Sequence, residues 1–294
     1  MVIIGKKAGQ LGNRLLVFAH FIANSIEYGY EIANPSFYDY ADYFDATRDD
    51  FFCRYPAQKS SLQNRSLQAT YWKLLTGLMP LYRKLGLGAF GLQVLDITVK
   101  NYQGENFDMS NPKFVKLAKE TPKLLIKDGW LFRDVASIVK HADQVRRHFA
   151  PAEEHAARVA ELIGTARRER DLLVGVHIRQ GDYKKWLNGK FFFETSEYAR
   201  LMKSFSDSLP GKRVRFLVCS NAAQDERLFA GLDVMLGTNH QLEDMYAFAG
   251  CDYLIGPPST YTMWASFYGS VPLHYVHDTA APITVADFDA RPWA

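Results

Sequence analysis

The residues with the clearest chemical potential stand in one run, Val174-Gly175-Val176-His177-Ile178-Arg179-Gln180-Gly181-Asp182-Tyr183. Side chains alternate along a strand, so Val174, Val176 and Ile178 share one face and His177 and Arg179 the other. Arg179 then falls at the strand's carboxyl end, where open α/β sheets bind their ligands. A guanidinium there offers a fork of donors to a phosphate or a carboxylate. The structural alternative is an ion pair of Arg179 with Asp182 that closes the turn. A second run is Ile255-Gly256-Pro257-Pro258-Ser259-Thr260-Tyr261-Thr262-Met263-Trp264. It ends a strand, turns on two prolines and opens a helix with the hydroxyls of Ser259 and Thr260. Helix N-termini present N–H groups and a positive dipole end, which suits a diphosphate, but Ser259 also suits an ordinary N-cap.

Two further segments could join them. Gly9-Gln10-Leu11-Gly12-Asn13 separates a strand from a helix without the G-x-G-x-x-G dinucleotide spacing. Its glycines allow a close backbone approach, and Asn13 suits a helix cap. In Leu242-Glu243-Asp244-Met245-Tyr246, Asp244 falls early in a helix, where a carboxylate gains from the dipole. It could equally accept hydrogen bonds from a guanine edge, and the spacing does not choose.

These residues need elements to hold them, and apolar periodicity supplies the elements. Met1 to Ile4 has the pattern of a short buried strand, followed by a helix from about Arg14 to Tyr28 that closes near Gly29. Residues from about Tyr38 to Gln103 are aromatic-rich and mostly helical in pattern. Lys123 to Ile126 suits a strand, Ile138 to Phe149 a helix broken by Pro151, and Glu153 to Arg170 another helix. The remainder alternates regularly. Strands are expected at Leu172–Ile178, Val214–Cys219, Val234, Tyr253–Ile255 and Val271–Val276. Helices are expected at 196–208, 241–249 and 260–268, with another after Val214–Cys219, capped by Ser220 or Asn221. Such alternation implies parallel, doubly wound sheets. We expect two α/β domains, 1–165 and 166–294, facing each other across a cleft.

Composition narrows the classes. With 294 residues, 48% hydrophobic and 23% charged, the chain suits two ordinary globular domains. Cys53, Cys219 and Cys251 form no C-x-x-C pair, which argues against a disulfide framework or a zinc site and fits a reducing compartment. A net charge of +3 is too weak and diffuse for nucleic-acid binding. No uninterrupted apolar run suits a membrane span. Tyr71 to Leu95 mixes leucines and aromatics with Lys73, Arg83 and Lys84. It suits either a core helix pair, which we favour, or docking on a membrane face.

Taken in order, the four motifs resemble the fucosyltransferase superfamily, and its alpha-1,2-fucosyltransferases in particular. Gly9 to Arg14 is similar to that family's G-x-L-G-N-[QR] loop, and His177, Arg179 and Asp182 to its H-x-R-R-x-D motif. Cys251 to Ile255 followed by Ser259 to Trp264 is similar to its C-[DN]-x-x-[IV] strand and S-T-[FY]-x-W-W helix. Gln180 stands where the family has a second arginine, and Met263 where it has a tryptophan; residues 38–125 match nothing in it. The resemblance implies a GT-B fold of two Rossmann-like domains, with the acceptor on the N-terminal one and GDP-fucose on the C-terminal one. It implies inverting transfer of fucose from GDP-fucose to a glycan hydroxyl without a metal. Arg179 would bind the diphosphate, His177 and Asp244 the guanine or its pocket, Ser259 and Thr260 the phosphate oxygens. Gly12 would border the donor, Asn13 would lie beside the reacting centre, and Asp182 would brace Arg179. The base would come from Asp182, Glu194 or Glu197. We read no Asp-x-Asp motif in the sequence, the acidic stretch of Asp42, Asp45, Asp49 and Asp50 included, and expect an arginine-based site without metal. His240, His274 and His277 lack H-E-x-x-H spacing, so no metal ligand is assigned.

The family's animal members carry an N-terminal anchor that this sequence lacks. We therefore expect a cytoplasmic bacterial enzyme of surface polysaccharide synthesis, peripheral at the inner membrane face if its acceptor is lipid-linked. The competing readings are a related transferase with another nucleotide sugar or acceptor, and a noncatalytic nucleotide- or glycan-binding module on the same fold.

Overall fold

Short apolar runs flanked by loops make the strands of the first sheet. These are β1 (Val2–Ile4), β2 (Ile32–Ala33), β3 (Arg54–Tyr55), β4 (Leu92–Leu95) and β6 (Lys123–Ile126). β5 (Phe107–Asp108) and β7 (Phe132–Arg133) form a separate two-stranded pair. The order is β3-β2-β1-β6-β4, parallel except where β3 runs against β2. β1 and β6 are buried almost throughout, as a sheet covered on both faces requires. The computed structural model describes residues 1–85, 91–98 and 104–291. They divide into two compact units, one ending at Glu153 and the other starting at Glu154.

The helix after β1 spans Leu11–Tyr28, and its apolar side chains Leu15, Phe18 and Ile22 are completely buried. Gly29 closes it in the left-handed conformation (φ 74°), its N–H donating to the Ser25 carbonyl. The start lies three residues before the expected Arg14, with Gln10 at the cap position. Asn13 therefore sits inside the first turn and does not cap. Residues 38–85 are helical in part, at Pro35–Tyr43, Arg65–Gly77 and Met79–Leu85, but β3 and β4 interrupt the expected helical region. The favoured core helix pair is only half formed. Leu75 and Tyr82 pack against the cluster of Ile3, Ala33, Met79 and Leu125, whereas Leu74, Leu78 and Leu81 are 60%, 39% and 46% exposed. The part of that pattern between residues 86 and 90, with the side chains of Arg83 and Lys84, lies outside the described residues. The single helix expected at 138–149 is two, Val135–Lys140 and Ala142–His148.

In the second unit β8 (Leu172–Ile178), β9 (Val214–Ser220), β10 (Val234–Leu236), β11 (Tyr253–Gly256) and β12 (Leu273–Tyr275) are all parallel. Their order is β10-β9-β8-β11-β12. Numbered from β8 this is 3-2-1-4-5, a doubly wound sheet whose order reverses between β8 and β11. One face of β8, with Val174, Val176 and Ile178, packs in one core with Tyr198, Leu201 and Phe205 of the helix Thr195–Asp207. The unit begins at Glu154, the second residue of the helix Glu153–Ala166, whereas the sequence placed the boundary at 165/166. That helix is tied to the second sheet, because Arg215 of β9 donates to the carbonyls of Thr165 and Ala166. No α-helix follows β9 directly. Asn221 is used elsewhere, and a short turn at Glu226–Phe229 is capped by Asp225.

On its other face β8 has no room. A Cβ on Gly175 would come within 2.6 Å of both Leu254 and Phe248. Gly175→Ala is therefore an overpacking substitution. We expect it to destabilise the second unit by about 1–3 kcal/mol, measured as a lower urea midpoint with an unchanged slope.

Candidate functional site

The loops after β8 and β11 flank the point where the strand order reverses, and the first two motifs occupy them. His177 is the last but one residue of β8 and is 4% exposed, its ring 4.8 Å from that of Tyr261. Its Nδ1 is buried and has no hydrogen-bond partner among the described residues. Burial, reinforced by the charge of Arg179, lowers its pKa to about 3, so the imidazole is neutral throughout the physiological range.

Arg179 leaves the strand end and meets Asp182 side on, Nε to Oδ1 at 3.0 Å and Nη2 to Oδ2 at 2.9 Å. The guanidinium also lies over the ring of Tyr183, 5.3 Å from its centroid. This two-pronged pair fixes the plane of the guanidinium while leaving its Nη1 side for another anion. Hydrogen bonding to Arg179 in turn holds the Asp182 carboxyl below its usual range. Asp182 is thus the brace that the sequence suggested, although its side chain is 58% exposed.

Sequence reasoning overlooked the residues that set this loop. The Gln180 N–H donates to Asn221 Oδ1 at 2.8 Å, and the Asn221 amide leans on Asp182 at 3.4 Å. The Gln180 side chain donates to Thr195 Oγ1 (3.2 Å) and accepts from Gln224 (3.3 Å), in a wholly neutral network. Tyr183 donates its hydroxyl to the Pro258 carbonyl at 3.0 Å, joining the β8 loop to the β11 loop. These side chains lie 41 and 75 residues from their partners in sequence, so no local pattern could have shown them.

At the β11 loop, Ser259 is the N-cap of the helix Thr260–Gly269, its Oγ accepting from Thr262 N–H at 3.2 Å. Thr260 opens that helix, and the first turn holds no acidic residue to offset the positive dipole end. Asp244 is buried in the helix Gln241–Phe248 and accepts from Thr238 N–H (2.7 Å), Thr238 Oγ1 (3.0 Å) and Asn239 N–H (3.1 Å). Both of its oxygens thus hold the loop after β10, and burial raises its pKa. Glu194 and Glu197 form the capping box of the helix Thr195–Asp207, and Glu197 also accepts from Thr279. Gly12 and Asn13 lie in the first turn of the helix after β1, in the other unit.

One expectation needs correction. An Asp-x-Asp pair does occur, at Asp287-Phe288-Asp289. Both carboxylates serve turns there: Asp287 accepts from Thr284 N–H at 2.7 Å and Asp289 from Arg291 N–H at 2.8 Å.

No model of a sequence family matches the chain, and no curated protein sequence does. Solved structures do match in fold. A mutant of Arabidopsis thaliana FUT1 in complex with GDP is 13% identical with a TM-score of 0.61, over 99% of this chain and 75% of that one. The fucosyltransferase NodZ from Bradyrhizobium is 16% identical with a TM-score of 0.57, over 95% and 96%. POFUT1 in complex with GDP-fucose is 10% identical with a TM-score of 0.56, over 92% and 94%. At these identities the likeness establishes the fold, the GT-B-type α/β architecture of the fucosyltransferase structures.

His177 is one of three histidines buried in neutral form, with His20 and His148, whose pKa values burial lowers to about 4. Their folded values lie below the unfolded 6.5, so their contribution to stability is complete above pH 6.5. It is lost as pH falls toward the folded values, because only the unfolded chain takes up the proton. Between pH 6.5 and 5 each should cost about 2 kcal/mol. Urea unfolding at pH 7 and pH 5 measures this, and a midpoint that does not move would contradict neutral burial.

Proposed function

We propose that this chain is an inverting glycosyltransferase that moves fucose from GDP-fucose to a hydroxyl of a glycan acceptor. The observation that carries the reading is Arg179. Its forked guanidinium is braced by Asp182 at the switch point of a doubly wound sheet, in a fold shared with proteins solved with GDP and GDP-fucose. Departure of GDP places negative charge on the β-phosphate, and preorganised donors there supply the largest single term in such a reaction. Arg179 and the N-terminus of the helix Thr260–Gly269 are the donors in question, and the reading needs no metal at this step. His177, neutral and buried with its Nδ1 unpaired, suits a hydrogen bond to the nucleotide. Asp244 acts by fixing the Thr238–Asn239 loop, and Ser259 by capping the helix whose end meets the phosphates. Thr260 completes the assignment within this unit; Gly12 and Asn13, on the first unit, are assigned on the resemblance alone. For the base, Asp182, Glu194 and Glu197 are all engaged in structure, which leaves that role unassigned.

The acceptor half of the reading is an alpha-1,2 linkage in a bacterial surface polysaccharide, made in the cytoplasm. Free, buried Cys53, Cys219 and Cys251 support a reducing compartment. Among the described residues no helix is long and apolar enough to cross a membrane. The exposed Leu74, Leu78 and Leu81, beside the exposed Lys73, support contact with a membrane face where a lipid-linked acceptor would lie. Gln180 favours a second reading, another nucleotide sugar, since its neutral network adds no cation for the donor.

Calorimetry with GDP, UDP, CMP and ADP, with EDTA present, separates these. The first reading expects selective GDP binding and turnover of GDP-fucose; selective binding of another nucleotide supports the second, and binding of none points to a noncatalytic module. Arg179→Ala should lower transfer by about 10²–10³ while the protein still folds, with a melting temperature only a few degrees lower, because the Asp182 side of the pair is open to solvent and such pairs contribute little to stability. A folded Arg179→Ala protein with normal transfer would sink the assignment.

A further inference from the structure

Away from the strand-end loops, one cluster of titratable side chains gathers between two helices of the second unit. His155 stands on the helix Glu153–Ala166, while His240 and Glu243 stand at the cap and in the first turn of the helix Gln241–Phe248. Glu243 is 3% exposed, and its Oε1 receives His155 Nδ1 at 2.9 Å and Arg158 Nη1 at 2.9 Å, with His240 Nδ1 at 3.8 Å. The two imidazoles stack, centroids 5.0 Å apart and planes 25° from parallel. One ligand-capable atom from each of the three residues lies within 4.8 Å of the others.

We propose that His155, His240 and Glu243 form a binding site for a divalent transition-metal ion of the zinc class. Two imidazole nitrogens and a carboxylate oxygen are a donor set that Zn²⁺ takes, with a fourth position left for water. The same set disfavours Mg²⁺ and Ca²⁺, which prefer oxygen ligands alone. At Zn–N and Zn–O distances of about 2.0–2.2 Å, tetrahedral ligands stand ~3.3 Å from one another. The trio therefore has to draw in by an ångström or so, within the reach of side-chain rotation. His240 and Glu243 are three residues apart at a helix start, so they face the same side. The positive charge now answering the buried carboxylate is Arg158. Its side chain is 59% exposed, so it can turn to solvent when a metal ion takes over that charge.

The ion would fasten the helix Glu153–Ala166 to the start of the helix Gln241–Phe248, next to the loop that Asp244 holds. Binding to the folded form alone raises stability by mass action. No sequence motif marks this set, since His155 and Glu243 are 88 residues apart.

The test uses the full chain without a histidine tag, stripped with EDTA and titrated with zinc sulfate, with Co²⁺ as a spectroscopic substitute. The site predicts one ion per chain, visible tetrahedral Co²⁺ absorption that zinc displaces, and a melting temperature raised by roughly 5 °C at saturation. His155→Gln and His240→Asn should each weaken binding at least about 100-fold and remove the cobalt spectrum. His240→Asn is the safeguard against misfolding, because asparagine keeps the helix cap that His240 provides by accepting from Glu243 N–H. Absence of binding to the wild-type chain, or zinc affinity unchanged in both variants, overturns the proposal.

Discussion

The constraint on which the second unit depends is the close approach of β8 to its neighbours at a place where no side chain fits. Gly175 lets Phe248 and Leu254 press on the strand, and Gly256 lets β11 end beside His177, since a Cβ there would meet His177 Cβ at 3.1 Å and Thr262 at 2.8 Å. Because the two strands run parallel and adjacent, their outgoing loops leave from the same edge and must diverge. The divergence exposes Arg179 on one loop and the N-terminus of a helix on the other, with His177 below them. A bulkier residue at either glycine would separate the strands that bring these groups together.

Around that edge the charged and polar groups are mostly already occupied. Asp182 holds Arg179, Asp244 holds Thr238 and Asn239, Glu197 holds the Glu194 N–H and Thr279, and Gln180 holds Thr195 and Gln224. Such satisfaction is what burial demands, because an unpaired polar group inside a protein costs more than a made hydrogen bond returns. Among the described residues it leaves capacity at the site on the Nδ1 of His177 and on the Nη1 side of the Arg179 guanidinium. A preorganised anion site has this form: donors already fixed by neighbours, with capacity left over where the ligand arrives.

The same economy explains which sequence expectations survived. Asp182 and Ser259 each carried a bland structural alternative, a brace and a helix cap, and the structure displays those local roles. A residue three positions from its partner can be judged from spacing alone. Gln180 could not be judged that way, because the partners that make it a neutral brace lie on three other segments. Asn13 was misplaced for the opposite reason. Gly9 and Gly12 suggested a longer loop, yet the helix starts at Leu11, whose side chain is buried.

By itself the sequence determined the alternation of strands and helices in the second half, apart from the helix expected after β9, together with the depth of β8 and the position of Arg179 at a strand's carboxyl end. These follow from local forces, apolar periodicity and the two-residue repeat of a strand, which operate over a few residues. Only the tertiary structure decided the strand order, and with it the switch point, the Tyr183–Pro258 link, and the meeting of His155 with His240 and Glu243. It also decided that Leu74, Leu78 and Leu81 face outward, although the helical pattern suited a core. Those outcomes depend on which segments pack together across tens of residues. Chain entropy and burial settle such choices jointly, and no single segment carries the information.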